Sequence, residues 1–415
     1  LYAIADNHQR RLQVQSMSDM KNALAESRAE TDNLFRIVAD DDLFVRPLPQ
    51  RHRLIFYLGH LEAFDWNQAG RMALGEPHVE KTLDQLFARG IDPDPGQLPS
   101  DQESDWPTID QAQAYVARVR GNIDRIWDRV PADVQQTAVE HRWMHAETLA
   151  YQLHNLPFEK KRKPASAVVA PGGPKVQAKF LTIPAGEATL GRKPNGKFGW
   201  DNEFNETSVN VPEFSVTEYK VTNADYLEFV NQGQQAPFFW TRQGEHWQYR
   251  GMFETVPLPL DAPVYVTQQE ATEYAKWRGA DLLTEPQFHR AAYGTTQGDE
   301  RDLPWGDQAD APGNFDFRNW DPTPVTQDTS RSAFGAAQMV GNGWEWTRTP
   351  FGPLPGFEPM PNYPGYSADF FDDKHFVLKG ASPRTAKILT RRSLRNWFRP
   401  DYPYLYATFR LVVNS

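Results

Sequence analysis

The sequence predicts an α+β protein of two domains, a helical bundle followed by an irregular mixed domain. Three observations carry that prediction: a length of 415 residues, a helical periodicity that stops near Phe158, and a Trp-, Pro- and Gly-rich pattern beyond it. A single hydrophobic core seldom organises more than about 250–300 residues, so a chain of this length divides.

Up to Phe158 apolar positions recur three and four apart. Helices are expected over Met20–Val38, His52–Met72, Ile109–Trp127 and Ala132–Leu153, enough for a four-helix bundle, with Pro131 suiting the start of the last. The connection from Gly90 to Pro107 is long for a bundle and carries Asp92, Asp94, Asp101, Glu103 and Asp105, which marks it as a candidate functional loop. Residues 159–176 exchange periodicity for charge, Pro, Ala and Gly and read as a linker, so the expected domains are 1–158 and 177–415. In the second domain, strand-like runs such as Lys179–Ile183 and Phe376–Lys379 alternate with turns, and only Asn223–Asn231 and Gln268–Arg278 look helical.

Forty-four Lys+Arg stand against 54 Asp+Glu, a net charge of -10 that offers no basic footprint for nucleic acid. Mean hydropathy is -0.66 and no apolar run approaches a bilayer span, so no membrane partner is expected. Cysteine is absent, which excludes disulfides, thiolate nucleophiles and Cys-ligated metals, and leaves nitrogen and oxygen to hold any ion. The first residues lack the charged, apolar and small-residue succession of a secretory signal, so the expected location is cytoplasmic.

Within the fourth expected helix, His141 and His145 are four residues apart and emerge on one face about a turn apart, within reach of one ion. His60 in the second expected helix supplies a third imidazole, and three neutral imidazoles suit zinc and ferrous iron equally. His52 and His154 compete less well because helical rotation turns them off that face, while Glu62 and Glu147 are candidate acceptors for ligand ring N–H groups. In the second domain, Gly341-Asn342-Gly343-Trp344-Glu345-Trp346 reads as a tight turn pinned by buried rings. Tyr363-Pro364-Gly365-Tyr366 and Arg395-Asn396-Trp397-Phe398 put a phenol, able to give a proton, and an amide, able to hold a heterocycle, into loops.

Taken in order, Trp200-Asp201-Asn202-Glu203, Glu218 to Asn223, Leu283-Thr284-Glu285, Pro304-Trp305-Gly306-Asp307, Gly341 to Trp346 and Phe409-Arg410-Leu411 resemble the formylglycine-generating-enzyme-like, C-type-lectin-related fold. Formylglycine-generating enzymes use cysteines, so that activity is excluded. The first domain resembles a DinB-like four-helix bundle, and the pair resembles the ergothioneine-sulfoxide synthases, non-haem iron enzymes with a three-histidine site. The resemblance implies Fe(II) on His60, His141 and His145, O2 as oxidant, and Tyr363 as proton donor with Tyr366 beside it. It implies hercynine, the trimethylated betaine of histidine, as substrate, contacted by Asn396 and Trp397.

Two departures bear on the second substrate. Phe398 stands where the synthases that use γ-glutamylcysteine carry an Asp; separately, Met144 replaces the family's Gln before the second helical His, which bears on the water network around hercynine, and both belong to the expected substrate-contacting set. The paired Arg of their long loop gives way to the acidic run Asp92 to Asp105, which would repel a dianionic peptide. The resemblance is therefore closest to the selenoneine synthase branch, which takes a selenosugar, with Gln102 and Asp105 as candidate partners for sugar hydroxyls. A thiol donor giving an ergothioneine-type sulfoxide is the alternative, and a zinc-dependent DinB-type thiol transferase a further one.

Overall fold

The computed structural model describes residues 2–91, 98–165, 167, 172–306, 312–328 and 330–414. The chain forms two compact units, Leu1–Ala165 and Ser166–Ser415. Asp92 and Asp94 of the acidic loop, Asp307 of the Pro-Trp-Gly-Asp motif and part of the expected linker lie outside the described residues.

The first unit is helical: α1 (Tyr2–Phe35), α2 (Leu54–Asp65), α3 (Lys81–Arg89), α4 (Ile109–Ile126) and α5 (Ala132–His154). The four expected helices are present as α1, α2, α4 and α5. Helix α1 starts well before Met20, and α2 runs on as a π-helical stretch, Trp66–Ala73, a local widening that is common near functional sites. Helix α3 was not expected: its nine residues are too few for a clear period, although Gly90 closes it with a positive φ of 80°. At the start of α4, Thr108 and Gln111 exchange side-chain and backbone hydrogen bonds and satisfy two otherwise orphaned donors. Among the described residues no helix is long and apolar enough to cross a membrane.

A buried ion network stitches the bundle together. Arg142 on α5 donates to both carboxylate oxygens of Glu62 at 3.0 and 2.9 Å and to Asp65 at 2.5 Å, all on α2. Arg120 on α4 donates to Glu62 at 2.8 Å and to both oxygens of Asp32 on α1 at 2.8 Å. Four helices therefore share one chain of charges. Breaking it by removing one partner leaves buried charge uncompensated, a loss of about 3–5 kcal/mol.

Among its described residues the second unit holds four sheets, with strands β1 (Phe180–Ile183), β2 (Gly186–Leu190), β3 (Thr207–Val211), β4 (Phe214–Thr217), β5 (Trp240–Gln243), β6 (His246–Arg250), β7 (Thr255–Pro257), β8 (Asp281–Leu282), β9 (Gly343–Pro350), β10 (Phe376–Ala381), β11 (Asn396–Phe398), β12 (Ala407–Thr408) and β13 (Leu411–Asn414). Their orders are β1-β4-β13-β8, β11-β10-β9-β12, β2-β3 and β5-β6-β7. Strands β12 and β9 pair in parallel. Helices α6 (Asn223–Val230) and α7 (Gln268–Trp277) match expectation, but α8 (Glu285–Tyr293) corrects the expectation of two helices. Its signal was the capping box from Thr284 to Gln287 with Pro286 in the first turn, missed because nine residues are shorter than the window over which a helical period stands out.

The Gly341-Asn342-Gly343 turn has φ values of 97, 61 and 129°, a left-handed path that favours glycine. Fully buried Asn342 accepts from Asn314 Nδ2 and Thr323 N and donates to Thr323 O and Gln338 Oε1. Beyond it, Glu345 pairs with Lys220 at 2.8 Å and with Arg410 at 3.0 Å, while Trp346 Nε1 donates to Val266 O. The motif residues of the second domain thus form its buried polar frame.

Candidate functional site

Helix α2 presents His60 and helix α5 presents His141 and His145, and the three rings gather with centroids 4.5 to 5.3 Å apart. One nitrogen from each lies within 4.8 Å of the others. Bonds of about 2.0–2.1 Å to one ion require donor separations of roughly 3–3.5 Å, so small ring rotations complete the set. Two phenylalanines brace the rings: Phe64 stacks on His141 at 3.4 Å and 9°, and Phe56 on His60 at 4.6 Å and 28°.

Burial lowers all three imidazole pKa values, His60 to about 4 despite its bond to the Phe87 carbonyl, and His141 and His145 well below the usual 6.5. The rings are neutral at physiological pH, the state in which imidazole ligates. His145 Nδ1 is buried without a hydrogen-bond partner, a polar atom that an ion or a bound water would satisfy. The donor set therefore fits a divalent ion of borderline softness.

Among the neighbours, Glu62, Asp101 and the pair Gln102 and Asp105 depart from expectation, whereas His52 and His154 follow it. Glu62 does not hold a ligand ring; its carboxylate is committed to Arg142 and Arg120, which outweigh the cost of burial and keep it ionised. His52 and His154 stay outside the three-histidine group, His52 lying against Phe56 at 4.3 Å. In the acidic loop, Asp101 is buried and pairs with Arg46 and Arg53, its carboxyl held at about 2 by Trp106 and these arginines against the opposing effect of burial. Gln102 and Asp105, considered as sugar partners, instead cap a short turn on each other. Met144 is half-buried on α5 beside His145.

In the second unit ring contacts link Tyr363, Tyr366 and Trp397, and Asn396 and Phe398 flank Trp397 on β11. Tyr363 and Tyr366 lie 5.7 Å apart, and Tyr366 meets Trp397 edge-on at 5.4 Å. Trp397 stacks on Phe351 at 4.3 Å, with Phe370 at 5.5 Å, and Phe398 stacks on Tyr402 at 5.2 Å. Asn396 Oδ1 accepts the Trp397 backbone N–H at 2.9 Å, which orients its amide. Burial raises the Tyr363 pKa, so the phenol keeps its proton at neutral pH.

The turn Trp200 to Glu203 holds both segments. Trp200 stacks on Tyr366 at 4.1 Å, and Asp201 accepts from Ser367 Oγ at 2.5 Å and from the Met360 N–H at 3.4 Å. Glu203 accepts from Arg391 Nε and Ser393 Oγ at 2.7 Å, just ahead of Asn396. Arg395 grips Glu285 through two nitrogens at 3.0 and 3.1 Å. These positioning residues sit inside motifs read for fold, and their contacts come only with the tertiary structure.

Comparison with known proteins agrees with both units. Residues 166–415 match the sulfatase-modifying factor enzyme 1-like domain and residues 23–152 the DinB superfamily. Hercynine oxygenase from Mycolicibacterium thermoresistibile is 31% identical over 95% of this chain and 94% of its own. The chain belongs to the hercynine oxygenase family. Another hercynine oxygenase, from Mycobacterium tuberculosis, is 35% identical over 51% of this chain and 55% of its own. Ergothioneine biosynthesis protein 1 of Neurospora crassa is 26% identical over 91% of this chain, which spans only 55% of that longer protein.

Proposed function

We propose that the protein forms a carbon–chalcogen bond at the imidazole carbon between the two nitrogens of hercynine, using O2 and Fe(II) held by His60, His141 and His145. The observation that carries this reading is the buried group of three neutral imidazoles in a chain of the hercynine oxygenase family. When bound, the metal supplies Lewis acidity and a common template for the reactants. The rest is the work of the chain. Burial keeps the three rings unprotonated, and Tyr363 holds a proton on its hydroxyl for delivery to developing negative charge. Asn396, its oxygen engaged by the Trp397 N–H, offers amide hydrogens to an anionic or heterocyclic acceptor. The rings of Trp397, Tyr366 and Phe370 suit a trimethylammonium group.

The proposed donor is a selenosugar, which makes the enzyme a selenoneine synthase. Two features support an uncharged donor. Phe398 presents a ring stacked on Tyr402, and the guanidinium groups of Arg46 and Arg53 bond to Asp101 and to the carbonyls of Arg51 and Phe44, which leaves fewer N–H groups for substrate carboxylates. This replaces the repulsion expected from the acidic loop, since Asp101 is neutralised within the fold. A thiol donor and a sulfoxide product form the second reading, favoured by relatives named for ergothioneine biosynthesis. A cytoplasmic site of action is part of the proposal.

The test is anaerobic reconstitution with ferrous iron, followed by oxygen with hercynine and, in parallel, a selenosugar, a thiosugar and γ-glutamylcysteine, with products read by mass. Oxygen uptake and a selenium-bearing adduct are expected. An adduct with γ-glutamylcysteine alone moves the assignment to the sulfoxide synthases. Activity with zinc and no oxygen uptake overturns both readings in favour of a thiol transferase.

A further inference from the structure

Resting on the reading of His60 as a metal ligand, we propose that α3 is a positioning element for that ligand: its Phe87 carbonyl selects the His60 tautomer, and Gly59 is the gap that lets it reach. The carbonyl of Phe87 lies 2.8 Å from His60 Nδ1. A carbonyl can only accept, so Nδ1 carries the hydrogen and Nε2 is left bare to ligate. A ligand imidazole bonded in this way is fixed in rotation and made a better electron donor.

The approach depends on the residue before His60. A Cβ built on Gly59 would stand closer than 3.0 Å to three atoms of the Phe87 ring, including the atom at its root. The ring cannot swing aside, because Phe87 is fully buried and packs against Tyr115 at 5.4 Å. Any side chain at position 59 therefore pushes α3 away and draws the carbonyl off His60.

Helix α3 is itself anchored one turn earlier. Buried Asp84 accepts from Tyr115 Oη on α4 at 2.8 Å, and its other oxygen accepts from the Val79 N–H at 3.1 Å and lies 2.8 Å from His78 Nδ1. One carboxylate thus ties α3 to α4 and to the connection ahead of it. The line of support runs from Tyr115 through Asp84 and Phe87 to His60. A nine-residue helix has little stability of its own, and these contacts hold it in place.

The test uses Co(II) as probe on the metal-free full chain, with affinity from chelator competition and geometry from the visible absorption of the bound ion. Gly59→Ala is expected to weaken Co(II) binding about 10- to 100-fold with unchanged far-ultraviolet circular dichroism. Gly59→Ala with Phe87→Ala, which removes the three ring atoms the methyl group would meet and keeps the carbonyl, is expected to recover most of the loss. Independently of any variant, nitrogen-15 spectra of the metal-free wild type should show the His60 ring with hydrogen on Nδ1. Wild-type binding with an unaffected Gly59→Ala variant, a folded double variant that recovers nothing, or hydrogen on Nε2 overturns the inference alone. A wild type that binds no Co(II) overturns the metal reading beneath it. If Gly59→Ala does not fold, Tyr115→Phe takes its place, with a several-fold loss expected and no loss counting against the proposal.

Discussion

His60, His141 and His145 stand on two helices locked by a buried ion network, whereas Tyr363, Tyr366, Asn396 and Trp397 stand on a loop and a three-residue strand. In the first region, position comes from regular backbone: a four-residue step on α5 faces a single residue of α2, and Arg142 holds the two helices in register. In the second, it comes from separate polar tethers, Asp201 to Ser367 and Glu203 to Ser393, with one stacked indole. A metal site needs its donors fixed within a fraction of an ångström, which helices provide. A substrate surface is built from loops that can differ between relatives while the frame stays the same.

If this division is right, damage should separate along it. His141→Ala removes one of three ligands and should abolish metal retention after dialysis, with turnover falling at least about 1,000-fold and the second unit unaffected. Tyr363→Phe should leave metal content unchanged and slow carbon–chalcogen bond formation roughly 100-fold, with a changed product ratio. Loss of metal in that variant would break the comparison. Asp201→Ala releases Ser367 and the Met360 N–H together, and should lower kcat about tenfold with metal affinity unaltered. Asp201→Asn keeps an acceptor oxygen and should restore much of that loss. An Asp201→Ala variant with unchanged kcat would mean that the tether places nothing used in the reaction.

The sequence was most legible where a short spacing fixes the geometry. The step from His141 to His145 places two rings on one helical face whatever surrounds them, and the structure brings His60 to meet them. What sequence could not carry is backbone and tertiary partnership. The Phe87 carbonyl that holds His60 belongs to no residue type, so nothing in the sequence marks it. Glu62 read as a candidate acceptor for a ligand ring, yet the same position on α2 faces two guanidinium groups, whose stronger attraction decides its partner. Asp101 read as one of a repelling set because a linear sequence does not show Arg46 and Arg53 folding onto it. The second-domain motifs were informative for a related reason: Lys220, Glu285, Glu345 and Arg410 are buried charges that must pair, so the fold constrains their identities.

The smallest effect concerns a histidine outside either region. His289 on α8 is buried with Nδ1 2.9 Å from Thr189 O on β2 and with Nε2 lacking a partner. Burial lowers its pKa well below 6.5, and the charges of Lys379 and Arg392 lower it further. The folded chain therefore keeps this ring neutral while the unfolded chain takes up a proton near pH 6.5. Its contribution to stability is complete above that pH and is lost as pH falls below it toward the folded value, at about 1.4 kcal/mol for each unit of separation. Protection factors at α8 and β2, with the intrinsic pH dependence of amide exchange divided out, should fall between pH 7.5 and pH 5, and His289→Gln should flatten that dependence. Adding metal should slow exchange in α2 and α5 but leave this acid response in place, because His289 lies outside the three-histidine group. An acid response at α8 that persisted undiminished in His289→Gln would assign it to other groups of the second unit.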